Sequence, residues 1–149
     1  MSSIYNKTHN DIIISRINNL SPESKALWGK MTVDQMLSHC QAPIDFAFGT
    51  TPMKANLLMR LLGRMVKGKM LKSDKFKENS PTAPSFIRTG TYDFEETKNG
   101  LIDRINRFSE LGQNAVKSTK HPFFGEMTYE EWSQLHTMHL NHHLKQFGV

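Results

Sequence analysis

The chain contains one cysteine, no long hydrophobic run and no repeated or low-complexity segment. The lone cysteine, Cys40, cannot form an internal disulfide, which favours a reducing, cytoplasmic location. No apolar stretch approaches the roughly 18 residues of a membrane-spanning helix. The run Ile12–Ile14 near the N-terminus is too short for the apolar core of a signal peptide. The 149 residues therefore suit a single globular domain spanning 1–149.

Strand patterns are weak, whereas apolar residues recur at helical spacing along most of the chain. The segments predicted as helices are about 8–20, 32–48, 53–67, 93–111 and 128–147. Capping pairs mark three of the starts, namely Thr32 with Gln35, Asp93 with Glu96, and Thr128 with Glu131. The pattern predicts an all-α bundle, in which the long connection 68–90 allows a crossover between helices of the same direction. Pro43 is expected to interrupt or kink the second helix because proline lacks the backbone N–H.

Positive charge is concentrated in the segment 54–77. Its basic residues are Lys54, Arg60, Arg64, Lys67, Lys69, Lys72, Lys75 and Lys77. Only Asp74 opposes them, so the segment has a net charge of +7. The whole chain has a net charge of +5, so the rest of the chain carries −2. A local basic patch of this kind needs an explanation of its own.

The third predicted helix combines these charges with an apolar face. That face consists of Leu57, Leu58, Leu61, Leu62, Met65 and Val66. The favoured interpretation is a bundle helix with a solvated basic face. The alternative is a binding module for an anionic membrane or nucleic acid, although the sequence shows no DNA-reading motif. Met53, Leu57 and Met65 fit either the core or an interface, which leaves a homodimer open.

Four of the seven histidines fall between positions 136 and 143. On an idealised helix His136, His139 and His143 lie within about 40° of the direction of Trp132, while His142 lies about 80° away. Burying imidazoles on an apolar face costs free energy unless their nitrogens find partners. His139 and His143 are one turn apart, so their nitrogens can converge on one divalent cation.

The pair supplies two ligands, and a third must come from elsewhere in the chain. His39 on the second helix is the best candidate, although its position alone slightly favours a boundary histidine with one nitrogen in water. His9 and His121 lie near predicted loops and are weaker candidates. Cys40 points about 100° away from His39 and is expected to be a buried thiol. His136 or His142 remains an alternative ligand.

These residues match a known pattern. The segment Met36–His39, followed far downstream by His139–Gln146, resembles the DinB/YfiT-like superfamily of candidate metalloenzymes, within an uncharacterised branch of unknown function. Trp28–Thr32 and the loop His121–Gly125 add to the resemblance. It extends over nearly the whole chain and is most specific in the last helix, whereas 50–90 contributes little.

The resemblance implies a four-helix bundle, up-down-down-up, with a long crossover connection. It also implies a metal site formed by His39, His139 and His143, in which Gln146 supports a ligand or contacts substrate. Zinc is the first expectation, with nickel, iron or manganese as alternatives.

The activity implied by the resemblance is metal-dependent. It would be an S-transferase or isomerase reaction on a small-molecule substrate with a low-molecular-weight thiol. A metal ion that lowers the pKa of bound water also fits a hydrolase. Independently of the resemblance, the basic segment 54–77 is a candidate for attracting an anionic thiol. Catalytic side chains are not identified, since Glu126, Glu130 and Glu131 are explained by capping. A bundle that binds metal without catalysis is the alternative.

Overall fold

A computed structural model describes residues 2–149, which form a mostly helical fold. The helices are α1 (Lys7–Asn18), α2 (Val33–Ala47), α3 (Leu57–Ser73), α4 (Phe94–Leu111) and α5 (Tyr129–Gln146). Short 3₁₀ turns occupy Pro84–Phe86 and Gly112–Ala115. Strands β1 (Lys120–His121) and β2 (Gly125–Glu126) form an antiparallel hairpin. Within residues 2–149, the helices all fall short of the length and apolar character needed to cross a membrane.

Helix starts follow the predicted capping pairs. The Asp93 side chain accepts a hydrogen bond from the backbone N–H of Glu96 at 2.8 Å. Thr128 and Glu131 satisfy each other's backbone N–H groups, at 3.2 and 2.9 Å. These local contacts supply partners for backbone donors that a helix leaves free at its first turn. The predictions for the starts of α4 and α5 are confirmed.

Helix α2 continues through Pro43, so the prediction of an interruption is wrong. A proline inside a helix removes one backbone hydrogen bond, here the bond to the carbonyl of His39. Before this gap His39 contacts His139 of α5, and after it Asp45 accepts a hydrogen bond from Arg104 of α4, so the helix is held on both sides. Tertiary packing therefore outweighs the local preference of proline.

Helices α1, α2, α4 and α5 enclose the core. Its largest buried side chains include Ile13, Ile17, Met36, Leu37, Ile44, Leu101, Ile105, Phe108, Trp132, Leu140 and Leu144. On α2, Phe46 lies near Trp132 at the start of α5, while His39 lies near His139 further along α5. Helices α2 and α5 are therefore antiparallel, and this pairing places His39 opposite the C-terminal half of α5.

Helix α3 differs from its prediction in extent and in orientation. It begins at Leu57, where Asn56 caps the backbone N–H of Met59, and it ends at Ser73, so the connection to α4 begins later than predicted. Its inward side carries Gly63, which lies against the carbonyl of Phe123. Its basic face is mostly solvated, as expected, but its apolar residues are exposed as well, so the expectation that this apolar face packs in the bundle is wrong.

Candidate metal centre

Three histidines from two helices meet between α2 and α5. His39 lies on α2, and His139 and His143 lie one turn apart on α5. One nitrogen of each ring lies within 4.8 Å of the others, and the Nε2 atoms of His39 and His139 are 2.9 Å apart. His139 is partly exposed, so the cluster borders solvent. His39 is 4% exposed and both its nitrogens have partners, so its interpretation as a boundary residue is wrong.

The connection between α3 and α4 orients His39. Its Nδ1 atom lies 2.8 Å from the backbone carbonyl oxygen of Phe86. Because a carbonyl oxygen only accepts hydrogen bonds, Nδ1 carries the proton and donates it. The lone pair is then on Nε2, the nitrogen that faces His139. This contact fixes the tautomer that a metal ligand needs.

Gln146 orients His143 in the same way. Its Nε2 donates to the carbonyl of Trp28 at 2.8 Å, which turns its Oε1 toward His143 Nδ1, also at 2.8 Å. His143 therefore donates from Nδ1 and has its lone pair on Nε2. Gly29 makes room for this arrangement, since a Cβ atom there would lie 2.7 Å from Gln146 Nε2. The loop before α2 and the end of α5 thus support one ligand together.

The three rings are electrostatically suited to ligation. Burial lowers the pKa of each imidazole, and the neighbouring histidines lower those of His139 and His143 further. The pKa of His143 falls to about 3, although the hydrogen bond that its Nδ1 donates to Gln146 acts in the opposite direction. All three are therefore neutral at neutral pH, the form in which histidine binds a metal.

The donor set fits a divalent metal ion. The Nε2 atoms of His39 and His139 lie 2.9 Å apart, so the lone pair of His39 can accept a proton from His139 Nε2 or share a cation with it. Nitrogens that bind one zinc ion at about 2.1 Å lie roughly 3.0 to 3.4 Å apart, close to the 2.9 Å between the Nε2 atoms of His39 and His139. The three-histidine group can hold a metal ion, and imidazole donors suit zinc, iron and nickel alike.

A profile of the family described as "Protein of unknown function (DUF1569)" matches residues 5–148. The chain belongs to the DUF1569 family. Comparisons with curated proteins and with solved structures give no match. The family assignment agrees with the expectation of an uncharacterised branch, and it leaves the chemistry of this DUF1569 chain to be argued from its residues.

The other candidate histidines of the DUF1569 chain lie outside the cluster. His136 packs between Phe108 and Trp132, with its ring stacked on Trp132 at 5.7 Å. His142 contacts Trp28 and Phe76 through ring edges. His9 lies in the first turn of α1, within the predicted helix, and His121 lies in β1. Among residues 2–149 the structure groups only His39, His139 and His143 as a set able to hold a metal ion.

Two contributors to the site were missed in the sequence because they act through backbone atoms. The carbonyls of Phe86 and Trp28 orient His39 and Gln146, and a carbonyl has no residue-type signature. Phe86 also belongs to the segment 50–90, which contributed little to the resemblance. The short motif Pro84–Phe86, a proline opening a turn before an aromatic residue, was the available local signal.

Removing the Gln146 amide is expected to weaken metal binding. Gln146→Leu removes the acceptor for His143 Nδ1, and loss of such a supporting contact costs about 10- to 100-fold in affinity. Gln146→Glu keeps an oxygen acceptor for His143 but loses the donor to the Trp28 carbonyl, so its affinity is expected to lie between those of the leucine variant and the parent. A titration against a chromophoric chelator measures both values. Equal affinities for the leucine variant and the parent would contradict the supporting role.

Acid is expected to destabilise the protein through His121. Its Nδ1 accepts from the backbone N–H groups of Phe123 and Phe124, and burial, then the charges of His136 and Lys67, lowers its pKa to about 3. Below pH 6.5 the unfolded chain binds a proton at this site that the folded chain does not. The contribution of neutral His121 to the free energy of unfolding is therefore full above pH 6.5. It is lost at about 1.4 kcal/mol per pH unit on acidification toward pH 3.

The matched variant is His121→Asn, which keeps an acceptor but does not titrate. Urea unfolding at a series of pH values is expected to show a shallower loss of stability below pH 6.5 for this variant than for the parent. The same slope in both proteins would show that His121 is protonated equally in the folded and unfolded chains.

Proposed function

We propose that this DUF1569 chain is a metal-dependent enzyme whose ligands are His39, His139 and His143. The observation that carries the proposal is the convergence of the three rings, two of which have their Nδ1 hydrogen directed at an oxygen acceptor. Three neutral ligands leave the charge of a divalent ion uncompensated and leave coordination positions open, as in catalytic sites. The partly exposed His139 marks the side from which a substrate reaches them.

The proposed placement is in the DinB/YfiT-like superfamily, as a single domain of 1–149. Helix directions support an up-down-down-up bundle of α1, α2, α4 and α5. Pairs of contacts indicate that α2 runs parallel to α4 and α1 parallel to α5. Helix α3 lies in the long crossover between α2 and α4 and packs beside α5.

A low-molecular-weight thiol is the proposed co-substrate, in an S-transferase or isomerase reaction. A bound divalent ion, with zinc the first expectation, supplies a Lewis acid that lowers the pKa of a thiol or water. Arg88 is placed to attract an anionic group of such a thiol, since its Nε lies 3.0 Å from Oγ of Ser38, the residue next to His39, and its charge adds to the effect of burial in lowering the pKa of His39. The rings of Trp28, Phe76 and Phe86 provide apolar surface around the histidines.

The test is metal-dependent consumption of thiol. The protein is loaded in turn with zinc, nickel, iron or manganese and incubated with thiols and a panel of electrophiles. We expect turnover with at least one metal, loss of turnover in His139→Ala, and retention in His9→Ala, which removes a histidine distant from the cluster. Metal bound without any turnover would contradict the transferase or isomerase version and favour a non-catalytic metal-binding bundle.

A further inference from the structure

Helix α3 exposes its apolar face to solvent. The residues of this face, here called the α3 surface, are Leu57, Leu58, Leu61, Leu62, Met65 and Val66, and each is between 49% and 78% exposed. Scattered exposed apolar residues are ordinary, but six on adjacent turns of one helix form a contiguous patch. The opposite side of the helix is fixed to the protein by Gly63 against Phe123 and by Lys67, which binds Glu131 at 2.8 Å.

Cations border the α3 surface. At about 100° per residue, Arg60 and Arg64 lie along one edge, while Lys69 and Lys72 continue the outward side toward the C-terminus of the helix. These four side chains are exposed, and none forms an ion pair within residues 2–149. The helix therefore presents an apolar strip with a positive border, the arrangement of helices that lie in a membrane interface.

A basic cavity adjoins the same edge. It measures about 540 Å³ and lies between the first half of α3, with the segment before it, and strand β1 with the residues that flank it. Arg60 and Arg64 line it together with Lys54 and Lys120, and no carboxylate lies among its described lining residues. Lys54 and Lys120 are likewise free of ion pairs within the described chain. Four unpaired cations around one opening suit a phosphate group.

We propose that the α3 surface docks on an anionic lipid membrane, independently of the metal centre. The apolar strip enters the boundary between headgroups and acyl chains, and the bordering cations contact lipid phosphates. The cavity receives a lipid headgroup phosphate beside the strip. The chain lies on the membrane without crossing it, and the positive segment 54–77 faces the negative leaflet.

Charge favours a membrane over the other occupants of this surface. A two-fold contact with a second copy would set the segment 54–77, with its net +7, against itself, while the rest of the chain carries only −2. Nucleic acid would meet leucines and methionines at the centre of the surface and no aromatic side chain for base stacking. An anionic bilayer matches both the apolar strip and its border.

The experiment is cosedimentation of the full chain with vesicles. Vesicles of phosphatidylcholine alone are compared with vesicles that contain about one third phosphatidylglycerol, at low and high salt. Arg60→Gln/Arg64→Gln tests the border, with Lys25→Gln/Lys30→Gln as a control that removes the same charge from exposed sites elsewhere. Leu58→Ser/Met65→Ser tests the strip, with Ile12→Ser/Leu27→Ser as a control at other exposed apolar sites. Circular dichroism checks that each variant is folded.

We expect binding to the anionic vesicles, suppressed by salt. Loss of two cations is expected to weaken binding about 30-fold, since each is worth about five-fold at a negative surface. Loss of the two apolar residues is expected to weaken it at least about ten-fold, with both controls within about two-fold. Equal binding to both vesicle types, or none, overturns the proposal. Binding of inorganic phosphate without vesicle binding, or a dimer that Leu58→Ser/Met65→Ser dissociates, also overturns it.

Discussion

Replacing His143 by alanine is expected to empty the metal centre. Metal per chain, measured by mass spectrometry after equilibration with zinc and desalting, should fall from about one ion to below about one tenth. The affinity loss should exceed the about 100-fold reached by losing a supporting contact alone, because a ligand of the three-histidine group is removed directly. His142→Ala is the matched control, since it changes the neighbouring histidine, which lies outside the group.

Thermal unfolding provides a second measure of the same change. At a free metal concentration about 1,000 times the dissociation constant, binding stabilises the folded chain by about 4 kcal/mol. For a chain of this size that corresponds to a difference of roughly 8 to 16 °C in Tm. Chelation should therefore lower the Tm of the parent and of His142→Ala, but leave that of His143→Ala unchanged. Full metal loading of His143→Ala would contradict the ligand assignment.

Replacing Gly63 by alanine is expected to destabilise the packing of α3. A Cβ atom at this position would lie 2.7 Å from the carbonyl carbon of Phe123 and closer still to its oxygen. Both are backbone atoms, so the contact cannot be relieved by turning a side chain. Overpacking of this kind costs about 1 to 3 kcal/mol, which urea unfolding measures. In the Gly63→Ala variant, hydrogen exchange should also show faster opening of α3 than of α5.

Gly68→Ala is the control in the same helix. No atom lies within 4 Å of a Cβ placed there, so alanine is expected to stabilise the helix by about 0.5 to 1 kcal/mol. The two variants should therefore shift stability in opposite directions. A Gly63→Ala protein as stable as Gly68→Ala would mean that α3 does not rest against the Phe123 backbone.

Local signals in the sequence predicted much of the fold. The capping pairs Asp93 with Glu96 and Thr128 with Glu131 involve residues one turn apart, so the sequence contains both partners of each contact. The orientation of α3 is different in kind. The sequence shows the apolar face of α3 more clearly than its inward side, because the inward side packs through the absence of a side chain at Gly63. Helical periodicity shows that a face exists, but it does not say which face is covered.

The candidate site was predictable only where its residues are close together in the sequence. His139 and His143 share one face because of their spacing, which is a property of the chain itself. Their meeting with His39 depends on the antiparallel pairing of α2 and α5, which the residues alone left open and the resemblance implied. The roles of the Phe86 and Trp28 carbonyls depend on tertiary structure alone.

The most direct test of the central claim is a crystal structure of the zinc-loaded chain with anomalous scattering recorded at the zinc edge. We predict one strong peak about 2.1 Å from a ring nitrogen of each of His39, His139 and His143. The hydrogen bonds from His143 Nδ1 to Gln146 and from His39 Nδ1 to the Phe86 carbonyl should be retained. A peak bound to His136 or His142 in place of one of these ligands, or no peak between α2 and α5, would contradict the account.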